Sequence, residues 1–272
     1  MTYRMALAWA VGQGVSEPDA RWLLQEVARL SMTQYLIVRD TPIEPPQMAR
    51  FEQMIRRRAA GEPVQHILGY WGFCDLTLKT DRRALIPRPE TELVVEEALR
   101  LLPEAQGLRI ADVGCGSGCI GLALKEKRYR DRVTLMDVSP EARALAAENA
   151  DLLRLSVEIV EADMTWPLPG APYDMICSNP PYIPSGDCPM LDEEVRRFDP
   201  LLALDGGADG LDFYRALAGR MADSLKPGGY MVLELGIGQA AAVEKLFAPV
   251  GSRVRLRRDL AGIERVISLQ KI

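Results

Sequence analysis

The turn Asn179-Pro180-Pro181-Tyr182 carries the residue types best suited to chemistry at a planar nitrogen. Its two prolines fix φ and lack N–H groups, so the turn exposes carbonyl acceptors rather than donors. Asn179 Oδ1 and the Pro180 carbonyl can each accept one hydrogen of an NH₂ group, and Tyr182 can stack on a planar amide or ring. An amide nitrogen is a poor nucleophile because its lone pair is delocalised. Acceptors that fix this nitrogen and favour charge on it therefore predict that an electrophilic methyl group is transferred to the nitrogen.

A glycine-rich loop, Asp112-Val113-Gly114-Cys115-Gly116-Ser117-Gly118, lies between a predicted strand and a predicted helix. Glycines at alternate positions let the backbone turn tightly and approach a ligand, and the helix that follows offers unpaired N–H groups. We therefore expect Gly114, Cys115, Gly116, Ser117 and Gly118 to contact a cofactor. A strand-to-helix turn shaped only by packing is the alternative interpretation of the same pattern.

Acidic residues follow the next two predicted strands. Asp137 comes about twenty residues after the glycine loop, where a carboxylate can accept both hydroxyls of a ribose. Asp163 can accept from an adenine amino group, while the Met164 side chain packs on the ring. The spacing Gly-x-Gly-x-Gly differs from that of dinucleotide sites, and an acidic Asp112 before it suits a ligand with an ammonium and a sulfonium. The pattern thus favours S-adenosyl-L-methionine over NAD.

Alternating helices and strands position these segments. From about residue 90 the pattern predicts right-handed βαβ units and a mostly parallel sheet, covered by helices on both faces and ending in an antiparallel pair at one edge. The predicted strands are 109–113, 132–138, 157–162, 173–178, 230–235, 253–258 and 264–270, and the predicted helices are 91–102, 119–128, 140–153, 213–225 and 239–250. We expect the helix 213–225 to end at Pro227-Gly228-Gly229.

The first part of the chain has a different pattern. Apolar residues at helical spacing follow Pro18 and again Pro45-Pro46, and a stretch from 70 to 78 alternates as in a β-hairpin. We expect a helical domain at 1–62, a hairpin linker at 63–84 and a catalytic domain at 85–272. The run Arg56-Arg57-Arg58 ends a predicted helix, and we favour its interaction with the helix dipole over an RNA contact.

Composition excludes several classes of protein. With 272 residues, a net charge of −5 and 26% charged residues, the chain is typical of an ordinary globular protein without an extended nucleic-acid-binding surface. No signal peptide or membrane-length apolar run is evident, so we expect a cytoplasmic protein. The five scattered cysteines predict reduced thiols and no metal site, and we expect the only histidine, His66, to pack rather than catalyse.

Longer segments extend these motifs over nearly the whole chain. The glycine loop, Asp137, Asp163 and the Asn-Pro-Pro-Tyr turn together resemble a class I S-adenosylmethionine methyltransferase that acts on nitrogen. Three further segments resemble the release-factor glutamine methyltransferase family. They are Glu62-Pro63-Val64-Gln65-His66-Ile67-Leu68-Gly69, Leu85-Ile86-Pro87-Arg88-Pro89-Glu90-Thr91-Glu92, and Leu204-Asp205-Gly206-Gly207 with Gly210-Leu211-Asp212-Phe213-Tyr214.

The resemblance implies a fold and a reaction. The fold would be a Rossmann-like seven-stranded sheet with an antiparallel edge, joined to a small helical domain that recognises the substrate. The reaction would transfer a methyl group to the side-chain N5 of the glutamine in the Gly-Gly-Gln motif of class-1 peptide-chain release factors. By position, the loop Gly114 to Gly118, Asp137, Met164 and Asn179 would contact S-adenosyl-L-methionine, and Asn179 to Tyr182 would hold the glutamine. Met164 departs from relatives, which often have an aromatic residue there.

Some questions stay open at the level of sequence. An adenine N6 methyltransferase of DNA or RNA shares the Asn-Pro-Pro-Tyr turn, and a methyltransferase acting on a glutamine of a ribosomal protein would share the chemistry. Arg88 and Glu90 either form an ion pair that braces a loop over the cofactor or bind a ligand directly. Glu234, at the end of a predicted strand, has no assigned role, and neither does the glycine-rich turn from Asp205 to Gly210.

Overall fold

Two groups of residues pack separately in the computed structural model, which describes all 272 residues. The first, here called the helical unit, consists of Met1–Tyr70 and Asp192–Phe198. The second, here called the sheet unit, consists of Trp71–Leu191 and Asp199–Ile272. None of the helices combines the length and the apolar character that crossing a membrane requires.

The helical unit is built from short capped helices. Ser31 and Gln34 form a reciprocal capping box, and Ser16 accepts a hydrogen bond from the backbone N–H of Asp19. Phe51 and Ile55, one helical turn apart, are fully buried and form part of its core. Its helices are α1 (Tyr3–Gly12), α2 (Glu17–Ala28), α3 (Met32–Val38), α4 (Pro45–Ala59), α5 (Val64–Leu68) and α9 (Glu193–Phe198).

The three arginines at the end of α4 all form ion pairs with carboxylates. The run lies in the last turn of the helix, and its favoured interaction with the helix dipole stays a prediction. The partners are Glu52 for Arg56, Glu62 for Arg57, and Asp19 and Glu194 for Arg58. His66 is buried in the same unit, with its ring 6.4 Å from that of Phe198, as its expected packing role requires.

The sheet unit contains a seven-stranded sheet whose strand order is β5-β4-β3-β6-β7-β9-β8. All neighbouring pairs are parallel except the two that involve β9. The predicted fold class, including its antiparallel edge, is therefore confirmed. The strands are β3 (Arg109–Val113), β4 (Arg132–Asp137), β5 (Glu158–Glu161), β6 (Tyr173–Ser178), β7 (Leu225–Glu234), β8 (Gly251–Arg258) and β9 (Glu264–Lys271), and a hairpin of β1 (Tyr70–Phe73) and β2 (Leu76–Lys79) precedes them.

Helices cover both faces of this sheet because its central strands are apolar on both sides. Ile110 and Ala111, neighbours in β3, are both fully buried, and each belongs to a different one of the two hydrophobic cores. Alternation along a strand sends successive side chains to opposite faces, so each face needs its own cover. The helices are α6 (Glu92–Leu101), α7 (Cys119–Lys127), α8 (Pro140–Leu153), α10 (Asp212–Ser224) and α11 (Ala240–Phe247).

The predicted helix end at Pro227-Gly228-Gly229 is wrong. These residues lie inside β7, which already begins at Leu225. The pairing of β7 with β6 is irregular here, because it passes from Tyr173↔Leu225 directly to Met175↔Tyr230. Gly228 has a φ of +76°, a conformation that favours glycine. The glycine pair and the proline thus form a bulge within a strand.

Asn149 joins three segments in the interior of the sheet unit. Its side chain, on α8, is fully buried. The carbonyl accepts from Lys79 N at 2.7 Å, and the amide donates to Lys79 O at 3.2 Å and to Ser117 O at 3.0 Å. Because Ser117 belongs to the glycine loop and Lys79 ends β2, one side chain fixes the loop against both a helix and the hairpin.

We predict that Asn149→Ala lowers the free energy of unfolding by about 2–4 kcal/mol, because it leaves buried backbone groups without partners. Denaturant unfolding followed by circular dichroism measures this change. Asp151→Ala is the matched control, since Asp151 lies on the same helix but is exposed. Similar small effects of both substitutions would contradict the role of Asn149.

Candidate active site

A cleft opens at the carboxyl edge of the sheet, where β3, β4 and β6 end. Most of the residues that the sequence singled out line it. They are Gly114, Cys115, Gly116, Ser117, Asp137, Asp163, Met164, Asn179 and Pro181. Asp112, Gly118, Pro180 and Tyr182 are not among the lining residues, although each lies within or next to a lining segment. The other lining segments include residues 83–88, Pro200, Leu202, Ala203 and Phe213.

The glycine loop can follow its path only with glycines. Gly114, Gly116 and Gly118 have φ values of +70°, +55° and +82°. A Cβ at Gly114 would lie 2.9 Å from Met164 Cε, so the end of that side chain would have to shift. The glycine pattern that suggested a ligand loop therefore has its basis in the positive φ values of the backbone.

Asp137 ends β4 and fixes the glycine loop. Its Oδ2 accepts from Gly116 N at 2.8 Å, and its Oδ1 accepts from Ser139 N at 2.9 Å. The residue is 9% exposed and lines the cleft. A carboxylate oxygen has more than one lone pair, so each oxygen keeps acceptor capacity for a ligand hydroxyl.

Asp112 lies behind the cleft rather than in its wall. It is fully buried, and its Oδ2 accepts from Gly121 N at 2.8 Å, where α7 begins. Its Oδ1 is buried without a hydrogen-bond partner in the protein. Burial raises the pKa of this carboxyl to about 7. Contact between Asp112 and a cofactor stays a prediction, and the observed role of the side chain is to hold the start of α7.

Asp163 and Met164 follow β5. Asp163 is exposed, and its Oδ1 accepts from both the backbone N–H and the hydroxyl of Thr165. This local turn fixes the direction of the carboxylate. Met164 is buried and packs into the core beneath the cleft. Both residues line the cleft.

A chain of hydrogen bonds runs from Asn179 into the interior. Asn179 Nδ2 donates to Thr91 Oγ1 at 3.2 Å, and Thr91 Oγ1 donates to Glu234 Oε2 at 2.6 Å. Tyr182 Oη donates to Glu234 Oε1 at 3.3 Å. A buried carboxylate at the end of β7 is therefore connected to two residues of the Asn-Pro-Pro-Tyr turn. Burial raises the pKa of Glu234 to about 7.

The glycine-rich turn from Asp205 to Gly210 packs on the backbone of the Asn-Pro-Pro-Tyr turn. A Cβ at Gly206 would lie 2.8 Å from the Pro181 carbonyl oxygen, and one at Gly210 would lie 2.3 Å from the Tyr182 carbonyl oxygen. Gln239 Nε2 donates to that same Tyr182 oxygen at 2.9 Å. The turn, to which the sequence assigned no chemistry, thus supports the backbone of the reactive segment at a distance that only glycine permits.

An ion pair fixes the loop at residues 83–88 to the segment that contains Pro200, and both segments line the cleft. Arg88 donates to Asp199 Oδ2 at 2.8 Å, and the Asp199 carboxylate is almost fully buried. The ion pair between Arg88 and Glu90, one of two hypotheses from the sequence, is not formed. The partner of Arg88 instead lies far along the chain, immediately before lining residue Pro200. Arg88 itself lines the cleft, so its guanidinium also remains within reach of a ligand.

Sequence reasoning missed Thr91, Asn149 and Gln239, and it left Glu234 without a role. Thr91 lay inside a segment that was recognised as a unit, but its hydroxyl was given no function. Glu234 offered one signal, a carboxylate at the end of a buried strand. Asn149 and Gln239 offered none, because their contacts with Ser117 and Tyr182 join positions far apart in sequence.

Comparison with known proteins covers both units. Residues 10–69 match the model of the PrmC N-terminal domain, and residues 92–190 match that of the methyltransferase small domain. Among solved structures, a methyltransferase from Pyrococcus furiosus is similar in fold, with 17% identity, a TM-score of 0.54, and 74% of this chain and 91% of that chain covered.

Curated relatives resemble the whole chain. The release factor glutamine methyltransferase of Geobacter sulfurreducens is 40% identical, over 98% of this chain and 95% of its own length. That of Deinococcus radiodurans is also 40% identical, over 100% of this chain and 97% of its own length. With its motifs gathered in one cleft and this degree of identity over its full length, the chain belongs to the release factor glutamine methyltransferase family.

Proposed function

We propose that this protein transfers a methyl group from S-adenosyl-L-methionine to the side-chain N5 of the glutamine in the Gly-Gly-Gln motif of class-1 peptide-chain release factors. The observation that carries the proposal is the orientation of the Asn179 amide. Thr91 gives its hydroxyl hydrogen to Glu234, so its oxygen can only accept from Asn179, and only Nδ2 of Asn179 can donate. Asn179 Oδ1 is therefore left as an acceptor for a substrate NH₂ group.

The residues of the cleft fit the methyl donor. Gly114 and Gly116 line the cleft without side chains of their own, and Asp137 lines it with spare acceptor capacity for ribose hydroxyls. Asp163 and Met164 stand where the adenine would lie. When bound, S-adenosyl-L-methionine supplies an electrophilic methyl group on its sulfonium.

The residues of the turn act on the target nitrogen. Asn179 Oδ1 and the Pro180 carbonyl would accept its two hydrogens, which fixes the nitrogen and favours charge on it. Tyr182 would lie against the planar amide, and Pro181 lines the cleft beside it. The apolar lining, with Ile86, Leu202 and Phe213, would exclude water from the methyl group. As the C–N bond forms, the bond between that methyl group and sulfur would break, and the donor would leave as S-adenosyl-L-homocysteine. The methylated nitrogen would then lose one proton to solvent.

The helical unit would recognise the release factor. The support for this is a pair of consecutive apolar residues on α3, Leu36 and Ile37, which are 50% and 77% exposed. Large apolar residues exposed together mark surfaces that bind other proteins. The cofactor motifs lie outside this unit, so we assign it to substrate recognition alone.

We predict that Asp137→Ala weakens binding of S-adenosyl-L-methionine by about 1.5–3 kcal/mol, because the ribose hydroxyls lose a charged acceptor and the glycine loop loses its anchor. Isothermal titration calorimetry measures this affinity. Glu161→Ala, at an exposed carboxylate on the neighbouring strand, serves as the control and should bind normally. Unchanged affinity in Asp137→Ala would remove Asp137 from the site.

We predict that Asn179→Ala lowers kcat about 10²-fold or more, because the Pro180 carbonyl by itself cannot fix the nitrogen. Binding of the methyl donor should fall much less. Asn179→Asp keeps an acceptor oxygen and should retain more activity than the alanine variant. Mass spectrometry of a Gly-Gly-Gln peptide and of the intact factor should show one added methyl on the glutamine with the wild-type protein. If both stay unmodified while an adenine substrate is methylated, the nucleic-acid alternative is correct.

We predict that Ile37→Asp raises KM for the intact release factor about tenfold, while kcat and the KM for the methyl donor stay unchanged, because it places a charge on an apolar binding surface. Steady-state kinetics with the intact factor and with a short Gly-Gly-Gln peptide separates these effects. The peptide, which lacks the rest of the release factor that the helical unit would recognise, should be methylated normally. Equal kinetics of the variant and the wild type with the intact factor would rule out this surface.

A further inference from the structure

The hydrogen-bond chain behind Asn179 has a direction that depends on Glu234. The Glu234 carboxylate is 2% exposed and accepts from two hydroxyl groups, Thr91 Oγ1 and Tyr182 Oη. A carboxylate can only accept hydrogen bonds, so it forces each hydroxyl to point its hydrogen inward. Each hydroxyl oxygen is then available as an acceptor on its outer side.

We propose that Glu234 is a positioning residue whose negative charge determines which end of the Asn179 amide faces the cleft. This inference rests on the proposed function, because it explains how the acceptor for the target nitrogen is kept in place. Neither the Asn-Pro-Pro-Tyr pattern nor the cofactor motifs include Glu234 or Thr91, and Glu234 does not line the cleft. It acts through its two hydroxyl partners and does not touch the reacting atoms.

Protonation of Glu234 would reverse the chain. A protonated carboxyl can donate to Thr91 Oγ1, whose own hydrogen is then free to point toward Asn179. The stable partner for that hydrogen is Asn179 Oδ1, so the amide would turn and present its NH₂ group to the cleft. Two NH₂ groups facing each other cannot form the hydrogen bonds that hold the target nitrogen. The ionised form of Glu234 is thus the competent one.

The side chains around Glu234 place its change of protonation near neutral pH. Burial raises the pKa of Glu234, hydrogen bonds from Thr91 and Tyr182 lower it, and the nearby charges of Glu90 and Arg265 raise and lower it in turn. Together these effects bring the pKa to about 7. Since the ionised form is competent, activity should be present above about pH 7 and should be lost as the pH falls through that value. The polar and titratable side chains that face Glu234 or its charge are those of Thr91, Tyr182, Glu90, Arg265, Cys119 and Tyr214.

The first test is the pH dependence of kcat from about pH 6 to 8.5, with saturating methyl donor and Gly-Gly-Gln peptide. The wild type should show an acidic limb centred near 7, and Glu234→Gln, which cannot ionise, should lose that limb. A wild-type profile that is flat across this range, or a Glu234→Gln profile that keeps the same limb, overturns the proposal.

The second test concerns the relay through Thr91. Thr91→Val keeps the size of the side chain but removes the hydroxyl, and it should lower kcat about tenfold with little change in KM for the peptide. Thr91→Ser restores a hydroxyl and should recover most of the activity. Wild-type kcat in Thr91→Val, or failure of Thr91→Ser to recover, overturns the proposal. Affinity for S-adenosyl-L-homocysteine, measured by calorimetry, verifies that each variant is folded.

Tyr214→Phe provides the matched control for a purely structural effect. Tyr214 Oη donates to the backbone carbonyl of Glu234 at 2.8 Å, so its loss disturbs the same residue without involving the carboxylate. This variant should lose stability but keep the acidic limb. If it and Glu234→Gln alter the profile alike, the role of Glu234 is structural and the proposal falls. Failure of the proposed function would look different, because the wild type itself would not methylate the peptide.

Discussion

The reversal of strand order beside β3 is the constraint on which the site depends. The chain runs outward from β3 through β4 to β5, then crosses back to place β6 on the other side of β3. Connections from neighbouring strand ends leave in opposite directions at such a point, and a crevice opens between them. The glycine loop follows β3 and the Asn-Pro-Pro-Tyr turn follows β6. The Ser178 hydroxyl, donating to the Val113 carbonyl at 2.6 Å, fixes the two strand ends to each other.

Asp137, Asp112 and Glu234 each lie at or next to the end of a strand of this sheet, and their surroundings give them different tasks. Asp137 accepts two backbone N–H groups and remains at the cleft surface. Asp112 accepts one N–H and is buried, and Glu234 accepts two hydroxyls in the interior. Only the first is placed to meet a ligand through both shape and exposure. Asp112 and Glu234 hold in place the loops that would contact a ligand, and neither of them lines the cleft.

Local patterns predicted the fold and much of the candidate site. The predicted strands 109–113 and 173–178 coincide with β3 and β6, because buried parallel strands have a strong apolar signal and turn residues at their ends. Long-range pairings were beyond such reasoning. Thr91 and Glu234 are 143 positions apart, and Arg88 and Asp199 are 111 apart. One hypothesis from the sequence paired Arg88 with its neighbour Glu90, whereas in the folded chain Arg88 pairs with the buried carboxylate of Asp199. The bulge at Pro227 was missed since proline and glycine end a helix more often than they interrupt a strand.

The helical unit consists of two segments that are far apart in sequence, and this has a consequence for its synthesis on the ribosome. Its final segment, Asp192–Phe198, contains α9, and Glu194 on this helix pairs with Arg58. A domain made of one continuous segment can fold as soon as it emerges, at the pace of translation. This unit is completed only after residue 198 has left the exit tunnel, by which time the Asn-Pro-Pro-Tyr turn has emerged as well. The nascent chain thus exposes the earlier helices, without their last partner, for more than a hundred residues of elongation, roughly 10 s at typical rates.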